Sequence, residues 1–175
     1  MKKIMIVDDN YLSAEGIEKN IDWETLNAEI IHVCYNGTSA IEAMKKEPAD
    51  LIISDIEMPD LDGISMSRQA LEINPMVKII LISAYDKFEY ARRALLLGAL
   101  DYIEKPLDYA YLIQKVKNAF ALMEKEQKNL QLLKQSRPLL TEKFFREITH
   151  LPSSEAAYRL KPYLQYLNLE LNYDF

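Results

Sequence analysis

Cysteine and long apolar runs are almost absent from this 175-residue chain. Cys34 is the single cysteine, which excludes an internal disulfide and a zinc site built from cysteines. Its place within an apolar run predicts a buried thiol. No segment approaches the roughly 18 consecutive apolar residues of a membrane span. We therefore expect a cytoplasmic protein that does not contact the membrane.

Excess positive charge is also missing. The chain has 21 Lys and Arg against 27 Asp and Glu, a net charge of -6 at pH 7. Nucleic-acid binding needs clustered basic residues that neutralise phosphates, so DNA contacts would have to come from another region. His32 and His150 lack partners at metal-ligand spacing, and neither is expected to bind a metal.

Short apolar runs alternate with amphipathic stretches along most of the chain. The runs that are typical of strands are residues 3–7, 30–34, 51–54, 77–83 and 100–103. Five strands alternating with five helices predict an α/β fold with a doubly wound parallel sheet. The length and the 49% hydrophobic content allow one domain with a substantial core and an additional segment.

Charged and hydroxyl side chains stand where these runs end. Asp8 and Asp9 follow the first run, Asp55 follows the third, Ser83 ends the fourth and Lys105 follows the fifth. Open α/β sheets bind ligands at the carboxyl ends of their strands, so these side chains should converge. Three nearby carboxylates repel one another unless a cation lies between them, and Mg²⁺ suits an all-oxygen ligand set. The sequence therefore predicts an acidic magnesium site beside a lysine and a hydroxyl.

Four sequence motifs surround these positions. They are Val7-Asp8-Asp9-Asn10, Ser54-Asp55-Ile56-Glu57-Met58-Pro59-Asp60-Leu61-Asp62-Gly63, Ser83-Ala84-Tyr85 and Tyr102-Ile103-Glu104-Lys105-Pro106. Occurring in this order, they resemble the receiver domain of bacterial two-component response regulators. The resemblance covers about residues 1–125 and implies a flavodoxin-like, five-stranded parallel sheet with strand order 2-1-3-4-5. Residues 126–175 would then be a helical C-terminal extension that links to a following region.

The resemblance implies a role for each charged residue. Asp55 matches the phosphoacceptor, which receives a phosphoryl group from a sensor histidine kinase. Mg²⁺ would be held by Asp8, Asp9, Asp55 and the backbone carbonyl of Glu57. Lys105 matches the lysine that neutralises the moving group. Such a protein is not an enzyme in the ordinary sense, because it catalyses only its own phosphorylation and dephosphorylation.

Two further residues match the conformational switch of the family. Ser83 matches the hydroxyl that contacts the phosphoryl group, and Tyr102 matches the aromatic residue that rotates toward the core. The signal would emerge on the face made by the fourth predicted helix, the fifth strand and the fifth predicted helix, which we call the switch face. Pro106 would follow a cis peptide bond.

Two segments resemble the regulators whose output is an AraC-type helix-turn-helix domain: Ile21-Asp22-Trp23 and residues 85–91. No such domain is present in the sequence, so we expect DNA contact only through a missing C-terminal region. The alternation of Leu169, Leu171, Tyr173 and Phe175 is typical of a half-buried strand cut off within its run. We therefore expect that the chain is truncated.

The residues after Tyr109 predict a helix longer than the domain needs. Apolar residues recur at three- and four-residue steps from Leu112 to Leu133, and a helix over about residues 107–135 would extend roughly 40 Å at about 1.5 Å per residue. Arg137-Pro138 is predicted to end this helix, and a second helix is predicted after it. The outer half of the first helix either forms a coiled coil or packs on downstream residues. A homodimer could form through this helix or through the switch face.

Two other functions remain open at this point. An aspartate-nucleophile phosphatase of the haloacid dehalogenase type also forms a phosphoaspartate with magnesium, but it needs a second Asp where this chain has Glu57, together with a cap and a substrate pocket. A phosphate-independent interaction module would not need the complete acid set and Lys105. The favoured prediction is a receiver that controls transcription.

Overall fold

The computed structural model describes residues 1–84, 92, 94 and 98–132, together with the backbone of residues 133–148. The elements are β1 (Lys2–Val7), α1 (Tyr11–Asn20), β2 (Ala28–Cys34), α2 (Gly37–Lys46), β3 (Leu51–Asp55), α3 (Gly63–Ile73), β4 (Lys78–Ser83), β5 (Asp101–Glu104) and α4 (Tyr109–Ile148). Apart from residues 92 and 94, the fourth predicted helix, which lies between β4 and β5 and includes the segment 85–91, is outside the described residues. The helix α4 is therefore the fifth predicted helix. The strand predicted near the end of the chain also lies outside the described residues.

The five strands form one parallel sheet in the order β2-β1-β3-β4-β5, which confirms the predicted doubly wound α/β fold. The register pairs Val7 of β1 with both Cys34 of β2 and Ser54 of β3. At the next boundary, Asp55 pairs with Ile82 of β4. The carboxyl ends of the strands consequently share one edge, and the residues that follow them are brought together.

The central strands are buried on both faces, as expected for a parallel sheet covered by helices. All five residues of β3 are buried, and the last four residues of β1 are inaccessible to solvent. Met44 of α2 and Met66 of α3 belong to the core on one side of the sheet. Cys34 belongs to the same core, and burial raises the pKa of its thiol. The prediction of a buried thiol is confirmed.

Each helix that follows one of the strands β1, β2, β3 and β5 begins with an Asn or Asp side chain that accepts hydrogen bonds from backbone N–H groups. Asn10 caps α1 and Asn36 caps α2. Asp62 caps α3, and Asp108 accepts bonds from the first turn of α4. Such caps satisfy donors that have no partner within the helix. They fix the starts of these helices close to the carboxyl edge of the sheet.

α4 continues without interruption from Tyr109 to Ile148, so the predicted helix end near Gln135 and the separate second helix are wrong. Pro138 removes one backbone donor, but its φ of about -65° is compatible with a helix. The neighbouring Leu, Lys and Gln residues favour helix, and the helix continues through the proline. The chain divides into two compact units, Met1–Leu122 and Met123–Phe175, with the boundary inside α4.

Within the described part of the chain, we find no helix with both the length and the apolar character needed to cross a bilayer.

Candidate functional site

Charged side chains from three strand ends meet at the carboxyl edge of the sheet. Asp8 directly follows β1, Asp55 ends β3 and Lys105 directly follows β5. Lys105 Nζ lies 2.9 Å from Asp8 Oδ2 and 2.6 Å from Asp55 Oδ2. One ammonium therefore donates hydrogen bonds to two carboxylates that are far from it in the sequence. The structure brings these three predicted site residues into direct contact.

Asp9 adds a third carboxylate to the pair. One oxygen from each of Asp8, Asp9 and Asp55 lies within 4.8 Å of the others. Opposite oxygen ligands of Mg²⁺ lie about 4 Å apart, since each Mg–O distance is about 2.1 Å. Asp8 and Asp55 are buried, whereas Asp9 is exposed and leaves the site open to solvent. The number, type and spacing of these oxygens fit a small hard cation such as Mg²⁺.

Burial and neighbouring charges act in opposite directions on the protonation of the site. Burial raises the pKa of Asp8, although the hydrogen bonds from Lys105 and from the backbone N–H of Asn10 favour the carboxylate. Burial lowers the pKa of Lys105, but its hydrogen bonds to Asp55 and Asp8 and their charges outweigh this effect, and the pKa is raised. Lys105 is therefore a permanent cation at neutral pH.

The chain turns immediately after Asp55, and hydrogen bonds fix the turn. The hydroxyl of Ser54 donates to the Asp55 carbonyl oxygen at 2.7 Å, and the Glu57 N–H donates to Asp55 Oδ1 at 3.2 Å. The N–H of Gly63 donates to the Ile56 carbonyl at 2.9 Å. A Cβ on Gly63 would lie 2.0 Å from the Asp55 carbonyl oxygen, much closer than any real contact. The return of the loop onto the strand end therefore requires glycine.

The remaining predicted residues lie at or near the same edge. Ser83 ends β4 and is fully buried, and its carbonyl accepts a hydrogen bond from the Lys105 N–H at 2.8 Å. Tyr102 lies inside β5, pairs with Leu81 and packs partly buried against the core. The peptide bond between Lys105 and Pro106 is cis, as the resemblance implied.

A cavity of about 300 Å³ opens beside the charged residues. It lies between the start of α1 and the segment that joins β5 to α4, and Lys105 borders both the cavity and the acidic cluster. Its lining residues are Asn10, Leu12, Ser13, Lys105, Pro106, Leu107 and Tyr109. The side chain of Leu12 is exposed, so the rim of the cavity is partly apolar.

Sequence reasoning did not single out the structural contributions of Ser54, Gly63 and Asn10. Asn10 could have been found, because an Asn directly before an amphipathic stretch is a helix-start signal. Ser54 and Gly63 belonged to a quoted motif, but their contacts with the Asp55 carbonyl depend on the path of the loop. The spacing of apolar residues in the sequence does not predict the course of this loop.

Comparisons with known proteins agree with this geometry. The family model of the response regulator receiver domain matches residues 4–117. The REC domain of AraT, a response regulator from Geobacillus stearothermophilus, is 34% identical and superposes with a TM-score of 0.68, covering 72% of this chain and 98% of that one. A two component transcriptional regulator AraC from Clostridium phytofermentans ISDg is 30% identical with a TM-score of 0.65, covering 74% and 99%.

Among curated relatives, YesN of Bacillus subtilis (strain 168), an uncharacterized transcriptional regulatory protein, is 29% identical over 126 residues. The match covers 72% of this chain but only 34% of YesN. The chain thus spans about a third of the length of this relative.

The close approach of Gly63 to Asp55 predicts an unequal effect of two glycine substitutions. Gly63→Ala should lower the free energy of unfolding by about 2–3 kcal/mol, because the added Cβ must displace backbone. Gly16→Ala is the control, since its Cβ would meet only the end of the Tyr109 side chain, and Ala favours helix. Urea unfolding followed by circular dichroism measures both. Equal stability of the two variants would contradict the predicted steric constraint at Gly63.

Proposed function

The chain belongs to the response regulator receiver domain family, and we propose that it acts as a phosphorylation switch in which Asp55 accepts the phosphoryl group. As a receiver it is a regulatory component of a two-component system. The observation that carries the proposal is the contact of Lys105 with both Asp55 and Asp8, at 2.6 and 2.9 Å. A cation held against a carboxylate at an open acidic site is what transfer of an anionic group requires.

The proposed reaction needs one nucleophile and one leaving group. A carboxylate oxygen of Asp55 attacks the phosphorus of a phosphohistidine on a sensor histidine kinase. The P–N bond breaks, its electron pair stays on the imidazole nitrogen, and Asp55 becomes an acyl phosphate. Asp55 is 7% exposed, so its carboxylate is largely shielded from water while its outer edge remains reachable.

The surrounding residues supply orientation and charge. The Glu57 N–H and the Lys105 ammonium hold the two oxygens of the Asp55 carboxylate. Asp8, Asp9, Asp55 and the backbone carbonyl of Glu57 are the groups that would hold Mg²⁺. When bound, this ion supplies positive charge against the acids and the phosphoryl oxygens. Lys105 adds a second cationic group, so most of the catalysis is positioning and charge compensation.

The conformational change would begin in β4, the strand that pairs with Asp55. Ser83 ends β4, and Asp55 pairs with Ile82 in the same strand, which supports a role of the Ser83 hydroxyl as a phosphoryl ligand. Tyr102 is half-buried in β5 and would turn inward when Ser83 moves. A shift of the two states from 1:99 to 99:1 requires about 5.5 kcal/mol of differential stabilisation. A smaller difference gives a partial response.

The cavity beside Lys105 supports an approach of the kinase over the start of α1. Its rim combines the exposed Leu12 with Lys105, and a partner that delivers a phosphohistidine must reach this side of the site. The rival phosphatase function is less well supported, because Glu57 stands where a second catalytic Asp is needed. A phosphate-independent interaction module is also less well supported, because it would not require a complete acid set with the exposed Asp9 beside the buried Asp8 and Asp55.

The output would be transcriptional. Relatives are named transcriptional regulatory proteins, and the chain spans only 34% of YesN, so we assign residues 1–125 to the receiver and residues 126–175 to a helical linker. An AraC-type DNA-binding region beyond the linker would act on DNA in the cytoplasm. The continuation of α4 to Ile148 supports a helical connection. Leu130 continues the spacing of apolar residues that begins at Leu112 and is 46% exposed, so it is the candidate for a homodimer contact along this helix. The switch face is the other candidate for a homodimer contact.

Phosphorylation of Asp55 is tested with acetyl phosphate and Mg²⁺, followed by intact mass. The wild type should gain one phosphoryl adduct, and Asp55→Asn should gain none because the nucleophile is removed. Asp60→Asn is the matched control, since this exposed aspartate lies on the same loop, and Asn tolerates its positive φ of 68°. Loss of the adduct in both variants, or its persistence in Asp55→Asn, would refute the assignment.

Metal binding is tested by thermal melting with and without Mg²⁺. The wild type should melt at a higher temperature with Mg²⁺, because an ion at 100 times its dissociation constant adds about 2.7 kcal/mol of stability. Asp8→Asn should lose most of this increase, because one carboxylate ligand is removed. Asp60→Asn should retain it. An equal increase in Asp8→Asn and the wild type would place the ion elsewhere.

Dimerisation through α4 is tested by sedimentation equilibrium. Leu130→Glu should weaken self-association at least about tenfold, because a buried carboxylate opposes coiled-coil packing. Leu132→Glu is the control, since Leu132 is also exposed but lies two residues on, toward another face of the helix. A wild type that stays monomeric, or two variants that associate equally well, would remove α4 from the dimer interface.

A further inference from the structure

Buried groups also hold the backbone of Asp55. Ser54 is fully buried in β3, and its hydroxyl donates to the carbonyl oxygen of Asp55 at 2.7 Å. The backbone of Gly63 approaches the same oxygen, since a Cβ there would lie 2.0 Å away. A hydroxyl and a glycine therefore constrain the peptide group that joins Asp55 to Ile56.

The Ser54 hydroxyl is the only polar side-chain group among the first four residues of β3. The three residues before Ser54 in β3 are apolar and fully buried, and burying a hydroxyl costs free energy unless a hydrogen bond compensates for it. An apolar residue would continue the strand equally well. The hydrogen bond to the Asp55 carbonyl is therefore the specific contribution of the Ser54 side chain.

The orientation of this peptide group affects the carboxylate. Ile56 uses its N–H to contact the Ile82 carbonyl at 2.9 Å and its carbonyl to accept from Gly63 at 2.9 Å. The next residue, Glu57, donates its N–H to Asp55 Oδ1 at 3.2 Å. Rotation of the peptide after Asp55 would shift these contacts together. Because the Glu57 N–H holds Oδ1, this shift would also release one oxygen of the carboxylate, whose other oxygen makes a 2.6 Å contact with Lys105.

We propose that Ser54 is a positioning residue, whose hydroxyl fixes the peptide after Asp55 so that the carboxylate faces the incoming phosphoryl group. The proposal rests on the proposed function of Asp55. Ser54 acts through the backbone: its hydroxyl contacts the Asp55 carbonyl and not the carboxylate. Its contribution is the preorganisation of the nucleophile, which raises the rate of transfer.

Ser67 provides a matched control for the loss of a buried hydroxyl. Ser67 lies in α3 and is also fully buried, and its hydroxyl has no hydrogen-bond partner among the described residues. Ser67→Ala removes the same group without touching the turn after Asp55. Ser54→Thr keeps the hydroxyl and adds a methyl group, and serves as the conservative variant.

The experiment measures the rate of phosphorylation against acetyl phosphate concentration for the full chain with Mg²⁺, at a temperature well below each melting transition. Ser54→Ala should lower the limiting rate about 3- to 10-fold, the effect of one hydrogen bond, without changing the half-saturating concentration. Ser67→Ala should match the wild type, and Ser54→Thr should recover most of the rate. A general loss of stability would not produce this pattern.

A second measurement needs neither metal nor phosphate. Amide hydrogen exchange of Glu57, followed by NMR in the metal-free protein, should be faster in Ser54→Ala than in the wild type and unchanged in Ser67→Ala. Equal rates and equal exchange in the two Ala variants would overturn the role of Ser54. So would a slow but fully folded Ser54→Thr. An unphosphorylated wild type would instead count against the function of Asp55, and the exchange rates would still decide whether Ser54 orders the turn.

Discussion

Two buried carboxylates need a nearby cation, and the carboxyl edge of the sheet is organised around Lys105 because it supplies that charge. Asp8 and Asp55 are 1% and 7% exposed, and burial of an unpaired charge costs several kcal/mol. The ammonium lies within hydrogen-bond distance of both. Because the three residues come from the ends of β1, β3 and β5, this one contact ties together strands that are not all neighbours in the sheet. The same charge that would compensate a phosphoryl group in the proposed reaction also offsets the cost of burying Asp8 and Asp55.

A phosphoryl group on Asp55 would change the charge balance that Lys105 maintains. Phosphorylation converts the singly charged carboxylate into an acyl phosphate that carries about one and a half to two negative charges, so the site gains about one half to one negative charge and several acceptor oxygens. Lys105 would then be shared between the new oxygens and Asp8. Its backbone N–H is bonded to the Ser83 carbonyl at 2.8 Å, so a displacement of Lys105 acts directly on the end of β4. In the proposed switch, one backbone hydrogen bond would therefore connect Lys105 to Ser83.

Local patterns were sufficient to predict a parallel sheet whose strand ends share one edge, because apolar runs predict strands. The strand order, which decides how near Lys105 comes to Asp8 and Asp55, was predicted only through the family resemblance. The constraints on the Asp55 backbone could not be predicted in this way. They arise where the loop after β3 returns onto the strand. Neither the contact of Ser54 nor that of Gly63 with the Asp55 carbonyl depends on a repeated spacing of residues that could be seen in the sequence.

The helix end that was predicted before Pro138 is wrong, and the reason concerns how much a proline alone says about a helix boundary. Proline was expected to end the helix, yet α4 has 40 residues and extends about 60 Å at about 1.5 Å per residue. Pro138 removes one backbone donor from this helix, and its fixed φ is compatible with helical geometry, so a proline inside an otherwise helical segment need not mark the end of the helix. A proline is therefore weaker evidence for a helix end than a capping residue whose side chain bonds the free backbone groups.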